Sequence, residues 1–138
     1  MDTDGKEEMV ELDEQRCYEL LTATTVGRIG FVRDDVVEIL PVNFVVSGRD
    51  LLMRTASGGM LESLVESGTT VAFEVDYHDS LSRTAWSVLM NGALIRASAA
   101  EAAALTARVI PWAGGERELL LRFRIARMTG RAVKYTST

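Results

Sequence analysis

One cysteine, one histidine and two prolines are the scarcest informative residues of this 138-residue chain, and each scarcity removes a class of chemistry. Cys17 stands alone, which excludes an intrachain disulfide and a cysteine cluster for zinc. His78 falls in the polar stretch Tyr77-His78-Asp79-Ser80, read as a loop, without a second imidazole or thiolate, so no metal is expected. No apolar run approaches the ~20 residues of a membrane-spanning helix. Met1 to Glu8 has neither a basic start nor an apolar signal core. The expected location is therefore the cytoplasm, with no membrane partner. No Gly-x-Gly-x-x-Gly fingerprint follows a strand, so no resident dinucleotide-binding domain is expected.

What is present is an ordinary globular composition, 47% apolar and 25% charged, with a net charge of -5 that is unevenly placed. Residues 1 to 19 carry eight acids against two bases, whereas residues 117 to 134 carry six bases against Glu118 alone. Those bases alternate with Leu119, Leu121, Phe123 and Ile125, the pattern of a strand with one solvated face. Arg122, Arg124 and Arg131 are candidates for steering a phosphate-bearing donor. An acidic chain with one localised basic strand and no interleaved aromatic platform does not suit nucleic acid, and none is expected as a partner.

Along the chain, residues 1–10 read as a flexible acidic N-terminus and 11–138 as a single domain. Asp13 provides an N-cap for a helix to about Ala23, with Cys17, Leu20 and Leu21 as its buried stripe, so Cys17 is expected in the core. Val26 to Val32 is a strand with Ile29 and Phe31 on one face and Gly30 marking a close approach or bend. Arg33-Asp34-Asp35 turns the chain into Val36 to Val46, where Pro41 lacks the N–H of a central ladder and predicts an edge, bend or bulge. Ser47-Gly48-Arg49-Asp50 turns again into a strand ending at Arg54. Thr70 to Asp76 alternates, with Val71, Phe73 and Val75 inward and Glu74 and Asp76 outward as solvent-facing carboxylates. Trp86 to Arg96 is a long strand that Gly92 is expected to bend. Ser98 and Glu101 form a capping box for a helix to about Val109, stopped by Pro111, and Trp112 to Gly115 forms a loop. Leu119 to Arg127 is the last strand. Such a set predicts a mainly β (α+β) fold: a six- to seven-stranded antiparallel sheet, closed or partly closed, with peripheral helices.

The stretch Arg54-Thr55-Ala56-Ser57-Gly58-Gly59-Met60 is the densest in chemistry. It closes an apolar strand, gathers hydroxyls and glycines, and opens a helix that places Met60, Leu61, Leu64 and Val65 on one face. Unpaired N–H groups and the positive end of the helix dipole favour an anion there, and Arg54 adds a bidentate cation. A plain strand-to-helix connection, capped near Ser57 or Gly58, is the alternative.

That stretch, with Val26-Gly27-Arg28-Ile29-Gly30 before it, Leu40-Pro41-Val42-Asn43-Phe44 between, and Phe73 to Asp76, Trp86-Ser87-Val88 and Thr129-Gly130-Arg131 after it, resembles the pyridoxamine 5'-phosphate oxidase-like flavoproteins. The blocks fall in the family's order over nearly the whole chain. The resemblance implies a split β-barrel homodimer that holds FMN at the subunit interface, some relatives binding the deazaflavin F420 instead. It assigns the cofactor phosphate to Arg54, Thr55, Ser57 and the amides of Gly58 and Gly59. The ring would lie along Pro41, Val42, Asn43 and Phe44, with Trp86 and Arg131 contributed across the dimer interface. Where the family usually has a small hydroxyl residue followed by lysine, this chain has Gly59 and Met60, so a hydroxyl and a cation are missing. The expected function is an FMN-dependent oxidoreductase of a small molecule, with NAD(P)H or F420 as donor. The alternatives are a non-catalytic or F420-binding module with weakened FMN binding, and a nitroimidazole-type reductase, since nitroimidazole-resistance proteins resemble the same blocks. No catalytic side chain is assigned, because the cofactor would carry the redox chemistry.

Overall fold

The computed structural model describes residues 5–105 and 118–137. Among these the elements run β1 (Gly5–Leu12), α1 (Glu14–Leu21), β2 (Val26–Arg33), β3 (Val36–Ser47), β4 (Asp50–Ala56), α2 (Met60–Ser67), β5 (Thr70–Asp79), β6 (Thr84–Arg96), α3 (Ala99–Leu105) and β7 (Glu118–Ser137). The expected Pro111 stop and the Trp112 to Gly115 loop lie outside the described residues. No helix among the described residues is long and apolar enough to cross a membrane.

All ladders are antiparallel and follow the order β1-β7-β4-β3-β2-β5-β6, and β6 also pairs with β7. Six strands thus close into a ring, with β1 added along the far end of β7. Closure removes the sheet edges that a free antiparallel sheet would expose. The ring is filled by the inward residues of each alternating strand. Phe73 sits at its centre, edge-on to Phe44 with ring centroids 5.5 Å apart and tilted against Phe123 at 5.3 Å. Ile29, Leu51, Met53, Val75, Val88, Met90 and Leu121 are also fully buried.

Local chemistry explains most boundaries. Asp34 and Asp35 take positive φ (51° and 62°) in the two-residue β2–β3 turn, a conformation that Asp tolerates and that matches strand twist. The Asp13 carboxylate accepts from the Arg16 N–H at 2.8 Å, capping α1. Ser98 and Glu101 exchange reciprocal hydrogen bonds of 2.9 and 3.1 Å, the anticipated capping box of α3. At Gly92 the β6–β7 register shifts, and an added Cβ would meet the Arg124 carbonyl oxygen at 1.9 Å, so the bend expected there is a bulge held open for a close backbone crossing.

Four expectations need correcting. Residues 5–10 were read as part of a flexible N-terminus but belong to β1 (Gly5–Leu12), which pairs with Gly130 to Ser137. The close approach assigned to Gly30 belongs to Gly27, where a Cβ would lie 2.5 Å from the Phe73 ring; at Gly30 only ordinary contacts arise. Tyr77 and His78 are not loop residues but continue β5 opposite Trp86 and Ala85. Finally, β7 is twice the expected strand, because it serves β4, β6 and β1 in turn.

Candidate functional site

The barrel opens where β3 and β4 part. Their pairing runs from Ser47 opposite Asp50 to Phe44 opposite Met53 and stops there. Beyond that point Leu40 to Asn43 pair only with β2, and Arg54 to Ala56 only with β7. The edge anticipated from Pro41 is this unpaired side of β3, where backbone groups lack ladder partners. Between the diverging strands lies a cavity of about 210 Å³ lined by Leu40, Pro41, Val42, Asn43, Arg54, Thr55, Ala56, Met60 and Leu61. Two segments separated by ten residues in sequence, Pro41-Val42-Asn43 and Arg54-Thr55, thereby face one space. The Asn43 side-chain nitrogen is shielded from solvent and has no hydrogen-bond partner among the described residues. A buried amide left unpaired is costly, and it marks a place where a polar ligand atom would be accepted.

Below the cavity the chain turns through Gly58, whose φ of +81° favours glycine, into α2. Gly59 is the N-cap and supplies no side-chain hydrogen bond, so the cap lies two residues past Ser57. Its place is partly taken by Glu62 in the first turn: the Gly58 N–H donates to the Glu62 carboxylate at 2.6 Å. The Arg96 guanidinium, from the end of β6, donates to Glu62 at 2.8 Å and to Glu66 at 2.7 Å. The Gly58 amide first, and then Arg96 with help from the Ser57 hydroxyl, hold the Glu62 carboxyl below the usual carboxylate range. Sequence reasoning missed Glu62 and Arg96. Glu62 occupies the third helical position, where a carboxylate reaches back to amides at the helix start, and that spacing was the available signal.

Of the other expected residues, Ser57, Gly58 and Gly59 border the cavity in sequence but do not line it. Phe44 was expected along a ligand ring; its side chain is instead 1% exposed and packed against Phe73, because β3 turns it inward where the β4 ladder begins. Trp86 and Arg131 are on another face. They line a larger cavity of about 470 Å³ with Met9, Glu74, Asp76, Tyr77, His78 and others from β1, β5, β6 and β7. There Trp86 stacks on Tyr77 at 6.5 Å. Glu74 and Asp76 were read as merely solvent-facing carboxylates; both are bonded by Arg28, at 2.8 and 3.3 Å. Burial and the neighbouring Asp76 raise the Glu74 carboxyl above its ordinary value, against the pull of Arg28. Arg122, a candidate for steering, is already neutralised by Asp50 at 2.9 Å and by Glu101. Cys17 is buried and its thiol is pushed up by desolvation, consistent with a core role. No cluster of metal-ligating residues occurs among the described residues.

This antiparallel barrel, split beside a strand-to-helix loop, has its counterparts among known proteins. Residues 13–132 match the family model of pyridoxamine 5'-phosphate oxidase, and the chain belongs to that family. The Mycobacterium tuberculosis protein Rv0080 is 34% identical over 110 residues, covering 76% of this chain and 72% of its own. The structure of the FAD binding protein from Mycobacterium smegmatis superposes with a TM-score of 0.72 at 30% identity, covering 92% of this chain and all of that one. An FAD-binding protein from Mesorhizobium loti, at 19% identity, shares the fold with a TM-score of 0.74 over 94% of this chain and 99% of its own.

Proposed function

We propose that this chain is a flavoprotein, an FMN-dependent oxidoreductase of a small molecule, working as a homodimer. The observation that carries the reading is the cavity in the barrel split, which unites the unpaired Asn43 amide and the free edge of β3 with Arg54 and Thr55 at the mouth of the α2 loop. The polar groups suit a flavin: ring-edge hydrogen bonds donated by the Asn43 side chain and made with the backbone beside Pro41, whose own carbonyl can only accept, and phosphate contacts from Arg54, Thr55, Ser57 and the Gly58 and Gly59 amides. A flavin held there supplies the hydride or one-electron chemistry, and the protein's part is to position it and set its surroundings. The FAD binding relative from Mycobacterium smegmatis supports a flavin as the ligand class.

The size of the split argues for a second subunit. A cavity of about 210 Å³ is smaller than the ~300 Å³ at which small-molecule sites usually begin. A dimer would complete it with the face bearing Trp86 and Arg131. NAD(P)H or reduced F420 would then dock transiently, since the sequence carries no Gly-x-Gly-x-x-Gly fingerprint after a strand. A weakened or F420-selective module is the second reading, favoured by Met60 at the cavity wall and by Glu62 on the Gly58 amide.

The visible spectrum of freshly purified protein is the first test, a bound flavin giving a yellow sample. In titrations with FMN, Arg54→Ala should weaken binding tenfold or more, the equivalent of a charge-assisted contact of about 1.5–3 kcal/mol. Unchanged affinity would remove Arg54 from the site. Sedimentation as a monomer at micromolar concentration would oppose the shared site.

A further inference from the structure

We infer that Glu62 is a specificity-determining residue that competes with a ligand's terminal phosphate for the Gly58 amide. This deepens the flavin reading and rests on it. One of the groups proposed to receive the phosphate, the Gly58 N–H, already donates to the Glu62 carboxylate, and the Ser57 hydroxyl helps to hold that carboxyl below its ordinary range. An N–H at 2.6 Å from one carboxylate oxygen cannot at the same time serve a phosphate oxygen, and two anions in one cradle repel. Glu62 is not a loose surface acid, because Arg96 ties it to β6 and is itself anchored by Glu66. These three groups sum to one negative charge, beside a loop where Met60 stands in place of the cation usual in the family. A phosphate dianion must displace Glu62 to reach Gly58, whereas the uncharged head of the same ligand need not. Glu62 should therefore lower the advantage that FMN holds over riboflavin.

Equilibrium titrations of the full chain with FMN and with riboflavin test this on the parent, Glu62→Gln and Glu66→Gln. Glutamine keeps a carbonyl able to accept from Gly58 but carries no charge. Glu66→Gln makes the same change of net charge, still against Arg96, without touching the loop amide. Glu62→Gln should tighten FMN about tenfold and leave riboflavin within twofold, while Glu66→Gln changes neither by more than about twofold. The parent gives a second reading that needs no variant: its Gly58 amide resonance should move on addition of FMN and stay in place with riboflavin. Equal tightening by both variants would assign the effect to general electrostatics and overturn the inference, as would an unchanged FMN-to-riboflavin ratio. A Gly58 resonance that responds alike to the two ligands would overturn it too. Failure of every protein to bind either flavin would instead bring down the underlying flavin reading, and the inference with it.

Discussion

Replacing Gly130 by alanine tests how α1 is seated on the barrel. Gly130 pairs with Leu12 across the β1–β7 ladder, and a methyl group on its α-carbon would come within 2.4 Å of the Cys17 sulfur and 3.3 Å of Leu12 Cβ. Gly130 is not among the positive-φ glycines, so alanine suits the backbone and, without a clash, would stabilise by about 0.4–1 kcal/mol through the unfolded chain. The clash opposes this. Cys17 is 1% exposed and its neighbour Leu21 is fully buried, so the sulfur has no open space to enter. Overpacking of this kind costs about 1–3 kcal/mol and outweighs the backbone gain. A net loss of about 1–2 kcal/mol should lower Tm by roughly 3–8 °C in a chain of this size. Cys17→Ala alone removes one buried heavy atom and should cost about 1 kcal/mol. In the double variant the new methyl occupies the space vacated by sulfur, so the pair should be about 1–2 kcal/mol more stable than the sum of its parts. Urea unfolding of the four proteins, followed by circular dichroism, measures the coupling. Additivity within about 0.3 kcal/mol would show that sulfur is not what the glycine accommodates, and the packing argument would fail.

Gly92→Ala offers a contrast, because its methyl would strike the Arg124 carbonyl, which no side-chain deletion can move; the loss should exceed about 3 kcal/mol, and a folded variant with parental Tm would disprove the close crossing. Arg122→Gln should destabilise by about 1–3 kcal/mol, since it strips a half-buried cation from Asp50 and Glu101, and it should leave the ionic-strength dependence of any flavin reduction unaltered; a flattened salt response would restore Arg122 as a steering group. For Glu74 the raised carboxyl pKa means that the folded state holds its proton to higher pH than the unfolded state, so the parent loses stability as pH rises from about 4.5 through the folded pKa and then levels off. Relative to Glu74→Gln, parental stability should therefore decline across that window in denaturant titrations, and a difference that grows instead would reverse the sign of the shift.

The parts of the fold that alternate on a local scale were legible in the sequence. Ile29 with Phe31, and Val71 with Phe73 and Val75, face the core as their spacing predicted. The cap at Asp13 and the box at Ser98 and Glu101 depend on residues three apart and were equally readable. Strand β1 was not. Its Lys6-Glu7-Glu8 run resembles a solvated tail, Met9 and Val10 remain exposed, and its pairing comes from a segment more than 100 residues away. Glycine roles failed for the same reason. Gly27 and Gly30 look alike in sequence, and only the position of Phe73 on β5 decides which one is constrained. At the site, the residues of the loop and of the Pro41 segment were visible as motifs, whereas their shared cavity depends on where the β3–β4 ladder ends. The hydrogen bond from Gly58 to Glu62 depends on the cap lying at Gly59 rather than at Ser57 or Gly58.

The two cavities give the proposed dimer a geometric logic. On the outer face of the barrel, cross-strand register sets Asp76 beside Ser87 and Arg131, and His78 beside Ala85, Val133 and Met9. This face carries exposed apolar surface at Met9 and Leu89, with Tyr77 stacked on Trp86 alongside. It also offers charged groups at Arg131 and the Arg28–Glu74–Asp76 cluster. It is a broad, partly apolar platform without a phosphate cradle. The split between β3 and β4 is the converse: a smaller slot, bordered by the loop proposed to take the phosphate. Because both lie on one chain, a two-fold pairing that brings the slot of one subunit against the platform of the other forms two identical sites at once. The halves would then contribute separable terms. On this proposal Arg54 and the loop amides would govern how strongly binding depends on the phosphate, and the Trp86 and Arg131 face would govern how tightly the rest of the ligand is enclosed. Weakening the dimer should therefore lower affinity for FMN and riboflavin together, whereas changing Arg54 or Glu62 should alter their ratio.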